Sequence, residues 1–260
     1  MPSATTGSDN AWQTRTIEVS SRRATLTALL PQESGGDGQK GLPPTASTWS
    51  RLALAFRHVA ELRFSYGVMS AGKSTLALQV EHTWNEAGRT GVLLTSHDRG
   101  GSGTVTSRLG LTRDAVEVAP ETDLWALLRH SVPDGGFVVA DEAQFYAPEQ
   151  IDDLARCVDE REVDVACFGL LSDFTGQLFP AGARLVELAD VLVPLPLPVL
   201  CWCGRSARLN ARLVDGVVVR EGEQVVLGDT AASRGALFGP EVRYQVLCRR
   251  HWVARKTARC

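Results

Sequence analysis

The sequence predicts an α/β fold, a parallel sheet built around a phosphate-binding loop and followed by a small metal-binding lobe. Three observations carry this. Short apolar runs, "GVLLTS" (91–96), "FVVA" (137–140) and "VDVACFGL" (163–170), alternate with helical stretches. That alternation marks βαβ units whose strands are buried on both faces. "GVMSAGKST" (67–75) satisfies G-x-x-x-x-G-K-[ST] between a strand and a helix. Four of the six cysteines lie at or beyond residue 201, which points to a local use such as metal binding.

The whole chain sets the bounds. Its 260 residues suffice for one main domain and an appendage, and 44% hydrophobic with 22% charged residues is an ordinary globular balance. A net charge of −3 argues against a nucleic-acid partner, which usually meets a basic excess. No apolar run approaches the roughly 20 residues that span a bilayer. "VLVPLPLPVL" is short and broken by prolines. No basic stretch followed by an apolar one opens the chain, so no secretory leader or membrane partner is expected and a cytoplasmic location is the default.

Residues 1–60 form an N-terminal extension expected to be mostly disordered, since "PQESGGDGQKGLPPTAS" has too little apolar surface to offset ordering entropy. Trp49, Leu52, Phe56, Val59 and Leu62 recur at helical spacing, predicting a short amphipathic helix over 48–60. Residues 61–198 read as a P-loop NTPase (recombinase-like) domain. It should hold a strand at 62–66, the glycine loop, and a helix from Lys73 to Ala87 stopped by Gly88. "GVLLTS" follows as a strand, then "TDLWALLRHSV" as a helix with Thr122 at its N-cap. The "FVVA" strand, a helix from Pro148 to about Glu160 and the "VDVACFGL" strand complete the regular part. Beyond Asp190 the texture turns to short strands, glycines and cysteines, so a small lobe is placed at 199–260.

The chemistry starts at the loop. Gly67, Ser70 and Gly72 let backbone N–H groups turn around phosphate oxygens at a helix N-terminus. Lys73 reaches the β- and γ-phosphates and Ser74, the motif's last residue, contacts Mg²⁺ bound with ATP; Thr75, the next residue of the helix, is also assigned to ATP binding. Asp141, at the end of "FVVAD", suits the Mg²⁺ shell. Glu142 then acts on the nucleophile. "DEAQ" alone leaves two readings open, a base for a substrate hydroxyl or a carboxylate that polarises water, as in motor ATPases and helicases. Two features favour the first. Only the lobe follows Asp190, too little for a second recombinase-like domain of typical size. Phe145, Phe174 and Phe179 follow strand ends, where ligands bind in parallel sheets, and offer a flat pocket for a nucleobase. A P-loop ATPase that regulates or remodels a partner, with the lobe as docking module, is the alternative.

"CWC" (Cys201, Cys203) and "CRRH" (Cys248, His251) supply two close ligand pairs separated by strands. They fit a structural Cys₃His Zn²⁺ site, although C-x-C spacing is less usual than C-x-x-C and Cys260 could replace His251. A closed site would pin the loop between Gly228 and Tyr244 on the acceptor side. Cys157 and Cys167 read as core.

From about Leu62 to Trp252 the chain resembles the type II thymidine kinases, the zinc-containing cellular and bacterial class. The resemblance rests on "GVMSAGKST", "HDRGGSGTVTSRLGL", "DEAQF", "FGLLSDFTGQLFPAG", "CWCG" with "LNAR", and "VRYQVLCRRH". It implies ATP-dependent phosphorylation of thymidine and deoxyuridine at the 5′-hydroxyl, with Glu142 as base and Arg99 as the arginine that neutralises the transferring phosphoryl group. It also implies a thymine pocket lined by Met69, Leu170, Phe145, Phe174 and Phe179 and closed by Tyr244. The backbone near Val226 to Gly228 would read the base edge, and the assembly would be a homotetramer. The chain departs from the family at Leu171 and Ser172, where many bacterial members carry Arg and Thr, and at His97, where an Asp is usual.

Overall fold

A computed structural model describes residues 12–18, 25–31, 59–96, 103–222 and 241–257, the first two segments as backbone only. The chain divides into two units, Met1–Arg57 and His58–Cys260. In the first, β1 (Trp12–Glu18) pairs antiparallel with β2 (Thr25–Pro31), from Trp12 opposite Pro31 to Glu18 opposite Thr25. Both strands lie in the stretch expected to carry little regular structure. Their threonine- and leucine-rich runs suit extended pairing. Most of the helix expected over 48–60 lies outside the described residues.

In the second unit six strands make one parallel sheet. They are β3 (Leu62–Tyr66), β4 (Gly91–Thr95), β7 (Val116–Glu117), β8 (Phe137–Ala140), β9 (Asp164–Gly169) and β10 (Val191–Pro194), in the order β10-β3-β9-β8-β4-β7. A small antiparallel hairpin, β5 (Thr104–Thr106) with β6 (Thr112–Asp114), stands beside it. β8 and β9 are buried at every position, as continuous apolar runs between two helical layers require.

Helices α1 (Lys73–Glu86), α2 (Leu124–Ser131), α3 (Pro148–Arg161) and α4 (Pro180–Leu188) fill the connections. One core layer joins Phe64, Leu94, Val138, Ile151, Leu154 and Leu185; the other packs Ala77 and Leu78 of α1 on Phe137, Val139 and Phe168. Cys157 and Cys167 lie in the first layer, and burial pushes the Cys167 thiol up to about 12. Two residues pin strand starts: Asp190 accepts from Leu62 N–H at 2.8 Å, and the buried Asp164 carboxylate meets Arg89 at 2.5 Å.

One expectation is revised. The N-cap of α2 is Asp123, whose carboxylate accepts from Ala126 N–H at 2.9 Å, while the Thr122 hydroxyl accepts from Ala119 N–H instead. The proline-broken run, too short to span a bilayer, supplies one of the short strands expected beyond Asp190. β10 is an edge strand with Pro194 at its end, where no ladder donor is missed.

The lobe is a three-stranded antiparallel sheet, β12 (Val217–Val219), β11 (Leu209–Val214) and β13 (Val242–Leu247), closed by the short helix α5 (Arg249–Val253). Among the described residues no helix is long and apolar enough to cross a membrane.

Candidate active site

All six main-sheet strands run the same way, so the ends of β3, β8 and β9 release their loops at one edge. The register places Tyr66 beside Gly169 and Ala140 beside Cys167, which brings three separate loops together. They bound a cleft of about 1070 Å³.

The loop after β3 turns through Ser70 (φ 65°) and Gly72 (φ 84°) into α1. Gly72 occupies the left-handed region that side chains disfavour, which explains a glycine directly before Lys73. Gly67 anchors the loop's start, its N–H donating to Gly169 O at 3.3 Å. Lys73 is buried, with Nζ donating to Val68 O at 3.2 Å. Met69, Ser70, Gly72, Lys73, Ser74 and Thr75 all face the cleft.

Asp141 and Glu142 leave β8 on the same side. Asp141 is buried and hydrogen-bonded by Ser74, yet its Oδ1 has no hydrogen-bond partner. Burial first, and then the Glu142 charge, push its carboxyl from 3.8 up to about 6, against the opposing pull of Ser74 and Lys73. An orphaned, buried carboxylate oxygen next to a serine hydroxyl fits a divalent cation, which would restore the ionised form. The folded state holds this proton more tightly than the unfolded chain. The group's stabilisation is therefore complete below its ordinary value of 3.8 and is lost as pH rises through about 6. Urea unfolding of the nucleotide-free protein across that window should show stability declining with pH at this group. Asp141→Asn should remove that part of the slope.

Glu142 adopts a left-handed backbone, φ 51° and ψ 34°, as the chain enters the short turn Ala143–Phe145. Its side chain is held from one direction. Gln144 Nε2 donates to Glu142 Oε2 at 2.7 Å, and Gln144 Oε1 accepts from Leu170 N–H at 2.9 Å. Gln144 is itself buried, and an added Cβ at Gly169 would stand 2.8 Å from its Oε1. Glycine at 169 thus gives this clamp its room. Gln144 belongs to the "DEAQF" motif, but its spacing alone gives no sign of this clamp.

Beside the carboxylate lies an apolar slot. Phe145 and Phe179 meet edge to face at 5.7 Å, and Leu170, Phe174 and Tyr244 line the same cleft. The buried Arg212 stacks over Phe174 at 3.6 Å, and its Nε donates to Tyr244 Oη at 3.0 Å. Arg212 closes the "LNAR" stretch, but its role was not foreseen, because only the fold brings β11 to this slot. Arg99, Val226 and Gly228 lie outside the described residues.

Cys201, Cys203, Cys248 and His251 converge, their ligand atoms all within 4.8 Å of one another. Cys201 Sγ is 3.4 Å and Cys248 Sγ 3.6 Å from His251 Nδ1, and Cys203 Sγ is 3.9 Å from Cys248 Sγ. Tetrahedral zinc, with bonds of about 2.3 Å to sulfur and about 2.0–2.1 Å to nitrogen, separates its ligands by about 3.5–3.8 Å. The cluster fits that ion. Trp202 stacks on the His251 ring at 4.2 Å and covers one side.

A family model described as thymidine kinase matches residues 60–252, which span the loop, the acid pair, the slot and the metal cluster. The chain belongs to the thymidine kinase family. Among its thymidine kinase relatives, a protein of that name from Streptomyces coelicolor is 52% identical over 201 residues, covering 76% of this chain and 91% of the relative. One from Cutibacterium acnes is 50% identical over 196 residues, covering 74% and 88%. A thymidine kinase from Ruegeria pomeroyi is 39% identical over 199 residues, covering 75% and 94%.

Proposed function

We propose that the chain transfers the γ-phosphoryl group of ATP to the 5′-hydroxyl of thymidine, and of deoxyuridine, in cytoplasmic DNA-precursor salvage. One observation carries this reading above all: the Glu142 carboxylate, clamped by Gln144, stands in one cleft with the phosphate loop and the aromatic slot. A nucleoside seated between Phe145, Phe174 and Tyr244 would present its sugar to Glu142. The carboxylate takes the hydroxyl proton as the oxygen bonds to the γ-phosphorus, and the bond to the β-phosphate oxygen breaks to release ADP. Lys73 and the loop N–H groups balance the charge that builds on the phosphates.

Magnesium, bound with ATP, would be held by Asp141 and Ser74 and would screen phosphate charge. Zinc would be held by Cys201, Cys203, Cys248 and His251 in a purely structural role. On family grounds we also assign Arg99 to the transferring phosphoryl group, the backbone of Val226 and Gly228 to the base edge, and a homotetrameric assembly.

A panel of nucleosides with ATP tests the proposal. A slot that reads thymine by backbone donors and acceptors leaves groups unpaired against cytosine, at about 1–3 kcal/mol each. Thymidine and deoxyuridine should be phosphorylated, with deoxycytidine and the purine deoxynucleosides at least about 100-fold worse in kcat/KM. Tyr244→Ala should narrow that gap. Equal use of deoxycytidine would reject the pocket assignment. ADP release independent of any nucleoside would instead favour an ATPase that acts on a partner.

A further inference from the structure

Asn210, on β11 of the metal-binding lobe, is buried beside the phosphate loop. Its Oδ1 accepts from Met69 N–H at 2.9 Å, across 141 positions of sequence. Its Nδ2 donates to Ser172 O, in the loop after β9, at a longer 3.4 Å. Its own main-chain oxygen accepts from the Trp252 indole N–H at 3.1 Å. Trp252 directly follows the ligand His251 on α5, and its ring packs against Gly176. One residue therefore joins three segments: the metal helix, the loop that carries Phe174, and the loop that would hold triphosphate.

We propose that Asn210 is a positioning residue that fixes the phosphate loop from the metal-binding lobe, so that the lobe sets the donor site as well as the acceptor side. This rests on the phosphoryl-transfer reading above. The physical reason is local. Met69 sits two residues after Gly67, where the backbone begins its turn, and its N–H is held by a side chain from outside the parallel sheet. Without that acceptor the turn has more conformations to lose when triphosphate binds, and the cost falls on donor affinity.

Asn210→Ala, which removes both side-chain bonds, should raise KM for ATP about 10-fold and move KM for thymidine less than about threefold. Zinc content should stay close to that of the unmodified protein, and the thermal midpoint should fall only by the few degrees that losing two hydrogen bonds costs. An unchanged KM for ATP would overturn the proposal, and so would a parallel rise in both constants with loss of zinc. Should this variant not fold, amide hydrogen exchange on the unmodified full chain decides. Met69 N–H should be protected in the zinc-loaded protein and should lose protection on chelation. Equal exchange in the two states would overturn the coupling. Failure of the kinase reading would look different: the unmodified protein would show no transfer to thymidine, while Met69 exchange would still respond to zinc.

Discussion

Glu142→Gln should lower kcat by about 10²–10⁴-fold, the usual worth of a general base, while ATP and thymidine binding stay close to normal. The substitution is nearly isosteric, and its amide oxygen can still accept from Gln144 Nε2, so the clamp seen at 2.7 Å survives. What disappears is the capacity to take a proton. Steady-state kinetics with binding measured separately would show the loss in kcat alone, the mark of an interaction made only in the transition state. A variant with near-normal kcat would remove Glu142 from the chemistry. It would also leave its left-handed backbone, with φ at 51°, without a functional reason.

The second large effect is expected from metal removal. Among the described residues the lobe's buried apolar cluster is Cys201, Ala211, Val218, Leu247 and Cys248, and two of these belong to the Cys/His group proposed to hold zinc. So small a core cannot hold three short strands by burial alone. Structural zinc sites contribute about 10–16 kcal/mol in small zinc-binding peptides, enough to decide whether such a unit folds. Purified protein should contain about one zinc per chain. Chelation, or Cys203→Ser, should abolish ordered structure in the lobe while the parallel sheet persists. Tryptophan emission reads this directly, since Trp202 stacks on His251 and Trp252 packs against the lobe core. Active protein free of zinc would reject the site.

What the sequence made legible was whatever is local. The phosphate loop, the acid pair and the two ligand pairs are short strings whose spacing is itself the geometry. The buried strands announced themselves as continuous apolar runs. What stayed hidden depends on distance or on close competition. Thr122 and Asp123 are neighbours that both cap helices well, and only the bond to Ala126 N–H decides between them. Gln144, Arg212 and Asn210 act through contacts 26, 32 and 141 positions away, with no periodicity to betray them.

The position of β3 has a consequence for how the molecule comes into being. The strand that carries the phosphate loop is the first of the main sheet to be synthesised, yet both of its neighbours, β9 and β10, are late. The bonds that pin its start reach forward 103 and 128 residues, to Asp164 and Asp190. On a ribosome the loop emerges long before either flank exists, and such non-local pairing forms slowly. A growing chain that ends before β10 leaves one flank of β3 bare, and one that ends before β11 lacks the side chain that holds Met69. During most of synthesis the loop after β3 is therefore present without its flanking strands or its contact to the lobe.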